Sequence, residues 1–137
     1  MNLYADNILD HYRHPRGQEL LNAPTVTHAE ENVSCGDVLT VELRIVDGTI
    51  AGIRWSGTGC AISQAAMSML SEELAGMKTK DVAALKPGHV YQLLGVPIGP
   101  RRFKCALLCL HTLKNALRIT EGQKPQTWVE TVALTEN

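Results

Sequence analysis

Nowhere in the chain does an apolar stretch approach the roughly 20 residues that a membrane-spanning helix requires. The longest candidate is Ala106 to Leu110 with its flanks. The N-terminus, MNLYADNILDHYRHPRG, lacks the continuous apolar segment of a secretory signal, because Asp6, Asp10 and His11 interrupt it. An excess of charge is missing too. Thirteen basic against fourteen acidic residues leave a net charge of −1, which gives a polyphosphate no electrostatic footprint and argues against nucleic acid as a ligand. The sequence also lacks internal repeats, low-complexity tracts and the apolar depletion of disordered chains, since 45% of its 137 residues are hydrophobic and 20% charged. The expectation is one folded, cytoplasmic domain with a single core and no membrane partner.

What is present has clear periodicity. Tyr4, Ile8 and Tyr12 share a helical face between Leu3 and Arg13, and His14-Pro15-Arg16-Gly17 ends that segment. The alternation from Thr25 to Asn32 is weak, but Leu39, Val41, Leu43 and Ile45 alternate cleanly with Thr40, Glu42 and Arg44. Asp47-Gly48 then predicts a hairpin turn into a partner strand from Ile50 to Trp55, so an antiparallel meander is expected. Ile62, Ala66, Met69, Leu70 and Leu74 define a helix over Ala61 to Leu74, with Gly76 at its C-terminal cap. Thr79 is placed to start a short helix through Leu85, Pro87-Gly88 interrupts it, and His89 to Leu94 adds another turn or two. Val96 to Pro100 reads as a stiff, exposed apolar loop, and Cys105 to Leu117 as the last helix. Residues 1–118 are assigned to the domain and 119–137 to a loosely held tail that Trp128 would dock.

The four cysteines, with no signal segment, are expected to be free thiols. Cys35 and Asp37 lie two apart at the mouth of a strand, where a thiol and a carboxylate on one side would grip one cation. Cys60 follows Gly57-Thr58-Gly59 at a helix start, where unpaired amides favour a thiolate. Cys105 follows Arg101, Arg102 and Lys104, whose charges are expected to lower its pKa and attract anionic sulfur. Separations of 25 and 45 residues do not form the Cys-x-x-Cys pattern of a zinc finger, so burial as plain hydrophobes is the competing reading. Cys109 illustrates that reading, on a stripe with Leu113 and Ala116, although its i, i+4 relation to Cys105 leaves open a resolving thiol. His11, His14, His28, His89 and His111 lack defined partners, and none is taken as a ligand. Met67, Met69 and Met77 read as packing.

Taken together, Ile8-Leu9-Asp10-His11-Tyr12, Pro15-Arg16, Ser34-Cys35-Gly36-Asp37, Gly57-Thr58-Gly59-Cys60-Ala61-Ile62-Ser63 and Arg102-Phe103-Lys104-Cys105-Ala106 resemble the IscU/SufU/NifU N-terminal scaffold family, collinearly from about Leu3 to Leu117. The resemblance implies an α+β fold, a three-stranded antiparallel sheet with several helices packed on it. It implies a metal site made of Cys35, Asp37, Cys60 and Cys105, binding either a transient [2Fe–2S] cluster or zinc. The subtype features are mixed. Lys104 stands where the IscU branch usually has histidine, and residues 59–63 are closer to SufU, yet the longer insertion typical of SufU is missing between Cys60 and Cys105.

The role implied is an iron–sulfur assembly scaffold more than an enzyme in itself. Its sulfur would come from a cysteine desulfurase, its cluster would pass to apo iron–sulfur acceptor proteins, and Val96–Pro100 is a candidate chaperone loop. Cys105 is the expected sulfur acceptor, with Cys60 or Cys35 as alternatives, because thiol–disulfide exchange needs an accessible thiolate. The alternative role is a zinc-dependent sulfurtransferase. A structural zinc domain, unfolded by metal removal, is the third reading.

Overall fold

The computed structural model describes residues 3–19 and 21–133. Helix α1 (Leu3–Arg13) precedes strands β1 (Val26–Asn32), β2 (Asp37–Val46) and β3 (Thr49–Thr58), which are followed by α2 (Ala61–Leu74), α3 (Thr79–Ala83), α4 (Pro87–Leu94), α5 (Phe103–Thr120) and α6 (Trp128–Ala133). The strands form one antiparallel sheet in the order β1-β2-β3. The α+β architecture expected from the sequence is the one observed.

Alternation in β2 becomes burial: Leu39, Val41 and Leu43 are fully shielded, as is Trp55 opposite Val41 on β3. That apolar face is covered by α5, which lies across β1 and β2, and by α2, which lies on β3 and against α5. Each large side chain so buried contributes about 1.5–3 kcal/mol of transfer free energy. Helices α2 and α5 are buried almost all round, from Ser63 to Leu74 and from Cys105 to Leu117, because α1 and α4 cover α2 and several elements pack on α5. The Asp47-Gly48 turn has positive φ at both positions, 51° and 72°, as a two-residue hairpin requires.

Helix α1 is held as a lid by polar contacts as well as by Ile8. His11 Nδ1 and Ser68 Oγ are 2.7 Å apart, and the Arg16 amide donates to the same hydroxyl at 2.9 Å. The Trp55 indole donates to the Arg16 carbonyl at 2.5 Å, which locks the Pro15-Arg16 segment onto the sheet.

The weakly alternating first segment forms the third strand of the expected sheet, because pairing with β2 supplies what its own sequence does not. Two other expectations differ from the structure. The Val96–Pro100 loop is less exposed than expected: Val96 and Ile98 pack against the core, and Pro97, Gly99 and Pro100 face outward. The described part of the tail is not loose. Helix α5 runs to Thr120, past the assigned boundary, and α6 is fastened to it through a buried polar network. Within that network Trp128 stacks on His111 with ring centroids 4.2 Å apart, and His111 Nδ1 lies 2.6 Å from Thr131 Oγ1. The Asn115 amide donates to Glu30 at 2.9 Å and to the Gln126 carbonyl at 3.2 Å. Residues 134–137 lie outside the described residues.

Among the described residues, no helix is long and apolar enough to cross a membrane.

Candidate metal centre

The site is built at the end of the sheet where β1 turns into β2. Asn32 and Asp37 are the last register pair of those strands, and Val33–Gly36 closes the turn with the Cys35 and Gly36 amides both donating to the Asn32 carbonyl. Gly36 takes φ +74°, which lets the turn close without side-chain strain. Cys35 is therefore presented at the tip and exposed, whereas Asp37 is fully buried at the start of β2.

A buried carboxylate requires donors. The Cys60 amide donates to Asp37 Oδ1 at 2.9 Å, Ser63 Oγ reaches the same oxygen at 3.4 Å, and the Asn32 amide donates to Oδ2 at 3.3 Å. The first of these requires Gly59, whose φ is +146°: a Cβ there would lie 2.2 Å from Asp37 Oδ1. Cys60 is the N-cap residue of α2, and its carbonyl accepts the first helical hydrogen bond from Gln64. The helix start predicted from Gly57-Thr58-Gly59 thus does more than present a thiol. It clamps the aspartate with a main-chain amide.

One ligand atom each from Cys35, Asp37 and Cys105 lie within 4.8 Å of one another, close enough to share one ion after small side-chain adjustment. Cys60, partly buried, adjoins this trio without being part of it: its amide holds Asp37, and its charge bears on Cys105. Two sulfurs and one carboxylate oxygen suit zinc or iron by donor chemistry.

Cys105 departs from its predicted electrostatics. It is 2% exposed, three residues into α5, and the Asn32 amide nitrogen lies 3.6 Å from its sulfur. Burial pushes its thiol well above the ordinary range, and hydrogen bonds with Asp37 and Cys35 and the neighbouring Cys60 and Asp37 charges push the same way. The expected lowering by Arg101, Arg102 and Lys104 is not found. Arg101 and Arg102 are exposed to screening solvent, whereas Cys105 is buried beside the Asp37 carboxylate and the Cys35 and Cys60 thiols. Cys109 follows the bland reading: fully buried, its thiol donates to the Ala106 carbonyl at 3.4 Å, and burial pushes its pKa up to about 12.

Sequence reasoning missed Asn32 and gave Ser63 no role. Asn32 becomes legible only once the β1–β2 register is known. Ser63 lay inside a quoted motif, and its signal was its place one turn into a helix that starts beside a buried carboxylate. The histidines stay off the site: His11 pairs with Ser68 and Glu72, His28 with Glu30, and His111 with Thr131.

Thiols and a carboxylate gathered at one end of a small sheet form a group that could hold a metal ion. The chain belongs to the NifU-like N-terminal domain family, whose sequence profile matches residues 3–126. It is 30% identical over 132 residues to the iron–sulfur cluster assembly scaffold protein IscU of Thermotoga maritima, an alignment covering 85% of this chain and 93% of that protein. It is 27% identical over 137 residues to the zinc-dependent sulfurtransferase SufU of Bacillus subtilis, covering 88% and 92%. Among solved structures, an iron–sulfur cluster assembly scaffold protein for the SUF system from Fervidobacterium islandicum superposes with a TM-score of 0.73 at 23% identity, covering 82% of this chain and 94% of that one.

Proposed function

We propose that this protein is an iron–sulfur cluster assembly scaffold, which accepts sulfur from a cysteine desulfurase, assembles a [2Fe–2S] cluster and passes it to apo-proteins. The observation that carries the reading is the approach of Cys35, Asp37 and Cys105 to within 4.8 Å, in a family with relatives named as scaffolds. Cys35, Cys60 and Cys105 would bind the cargo with Asp37. A hard oxygen among soft sulfurs, already committed to three donors, makes a ligand set suited to release. Cys35 is the thiol we assign to first contact with incoming sulfur, because it is the exposed one. Cys105 is better suited to holding than to attacking, since its thiol gives up a proton reluctantly until a cation is near. The reading places the chain in the reducing cytoplasm, where free thiols persist.

Anaerobic incubation with ferrous iron, cysteine and a desulfurase tests this. A red-brown protein containing iron and sulfide is expected, and transfer of its cluster to an apo-ferredoxin should follow. A colourless protein that takes up zinc and sulfur, but no cluster, would establish the zinc-dependent sulfurtransferase instead. That second reading is favoured by Lys104 directly before Cys105 and by the similarity to SufU along the chain.

A further inference from the structure

Beside the metal centre lies a cavity of about 420 Å³, lined by Asn32, Ser34, Pro100, Arg101, Phe103 and Lys104. Asn32 is a wall common to both, since its amide nitrogen also touches Asp37 and Cys105. Ser34 provides a second link, because the next residue is the exposed Cys35. Among the described residues, the charged ones on the cavity wall are Arg101 and Lys104, and no acidic one lines it. The Lys104 ammonium lies 5.8 Å from the centroid of the Trp128 ring, which is not on the cavity wall, so a rotation of the lysine side chain brings it to a bound carboxylate beside Arg101. Metal ligation by thiols and a carboxylate does not call for an open basic cleft next door. A guanidinium and an ammonium with nearby apolar surface instead suit a short organic carboxylate. The volume is that of a small-molecule site.

We infer that this cavity binds small persulfides that carry a carboxylate and presents their outer sulfur to Cys35. The inference rests on the sulfur-accepting reading above and deepens it by naming a class of donor. In the step, the Cys35 thiolate attacks the outer sulfur of R–S–SH. A sulfur–sulfur bond forms to Cys35 Sγ, the donor's own sulfur–sulfur bond breaks, and its electron pair leaves on R–S⁻. The proton on the outer sulfur travels with it, giving Cys35–S–SH. The transferred sulfur keeps its oxidation level, so no external oxidant or reductant enters. Arg101 and Lys104 hold the donor's carboxylate throughout.

The test uses the full chain, metal-stripped and anaerobic, with the persulfides of 3-mercaptopropionate and 2-mercaptoethanol, which are similar in length but differ in charge. Initial rates of persulfide formation at Cys35 are read by mass spectrometry after peptide mapping. The carboxylate donor is expected to react about tenfold faster at low salt, an advantage that shrinks as salt is raised. In the Arg101→Gln/Lys104→Gln double variant the ratio of the two rates should fall towards one, and taking the ratio cancels any general change in thiol reactivity. A ratio near one in the unsubstituted chain, a ratio that survives the double substitution, or persulfide accumulating on Cys60 or Cys105 instead would each overturn the inference. A parallel arm supplies sulfur from a desulfurase and cysteine. Loading there without a carboxylate preference in the first arm sinks the cavity alone, and a carboxylate preference without desulfurase loading sinks the scaffold reading alone.

Discussion

Gly59 and Asp37, 22 residues apart along the chain, meet so closely that a methyl group on the glycine would fall 2.2 Å from the aspartate's Oδ1. The same glycine holds φ +146°, a conformation that side-chain-bearing residues rarely adopt. Gly59→Ala should therefore displace the carboxylate and the Cys60 amide together. The expected result is a stability loss of about 2 kcal/mol or more in urea titration and at least a roughly tenfold weaker hold on zinc in chelator competition. Unchanged zinc affinity would show that the clamp on Asp37 is irrelevant to metal binding.

Asp37→Ala keeps the glycine path but deletes the hard ligand and strands the Asn32 and Cys60 donors. We expect a cluster with a visible absorbance that decays several-fold more slowly and transfers correspondingly later, because a thiolate-dominated shell binds iron more tightly. The apo-protein should at the same time lose about 1–3 kcal/mol of stability from its unpaired amides. Transfer to an apo-acceptor at the original rate or faster would count against the role given to the oxygen ligand.

Thiol reactivity should rank by exposure. With iodoacetamide at pH 8 and no metal, Cys35 is expected to alkylate first, while Cys105 and Cys109 stay unmodified on the same timescale. Both buried thiols have raised pKa values in the folded chain. Their contribution to stability is accordingly complete below the unfolded thiol pKa, and it is lost as pH climbs towards about 12 for Cys109. Chemical denaturation at pH 8 and pH 10.5 should show a fall of up to about 1.4 kcal/mol per pH unit for each thiol. Equal stability at the two pH values would contradict the burial of these groups.

The opposite sign applies to His111. Burial lowers its pKa, and His28 assists, while Glu30 opposes. A neutral imidazole under Trp128 stabilises above the ordinary histidine pKa of 6.5, and that stabilisation disappears as pH falls below it. Helix α6 should then loosen in mild acid before the core unfolds, seen as a change in Trp128 fluorescence in a Trp55→Phe background. A His111→Gln variant should lack this early transition. If it persists there, another group drives it.

Chelation separates the readings of the metal. The core formed by β1–β3 with α2 and α5 is one continuous apolar cluster that includes none of Cys35, Asp37, Cys60 and Cys105, so removing zinc should leave the far-UV circular dichroism unchanged and lower Tm only by the binding free energy. Collapse to an unfolded chain would instead mark a structural zinc domain.

Much of this fold was legible because its strongest signals are local. Period-two burial in β2, the Asp47-Gly48 turn and the stripe of α2 follow from residues within a few positions of one another. Trp128 was legible as the residue that docks the tail, but its partners were not, since His111, Trp128 and Thr131 meet only through packing between separate elements. The site shows the same division. Residue types and motif order named Cys35, Asp37, Cys60 and Cys105, but the reversal of the expected Cys105 electrostatics depends on which side of α5 faces solvent. Charged neighbours in sequence count for little when they point to solvent and the thiol is buried against a carboxylate.

The hairpin turn at Asp47-Gly48 caps the far end of β2, nine residues from Asp37, which at about 3.3 Å per residue puts it roughly 30 Å from the thiols. Asp47 is exposed there. A dye or a surface tether attached at that tip would leave the opposite end open to solution, so a single immobilised molecule could be watched as donors and acceptors arrive.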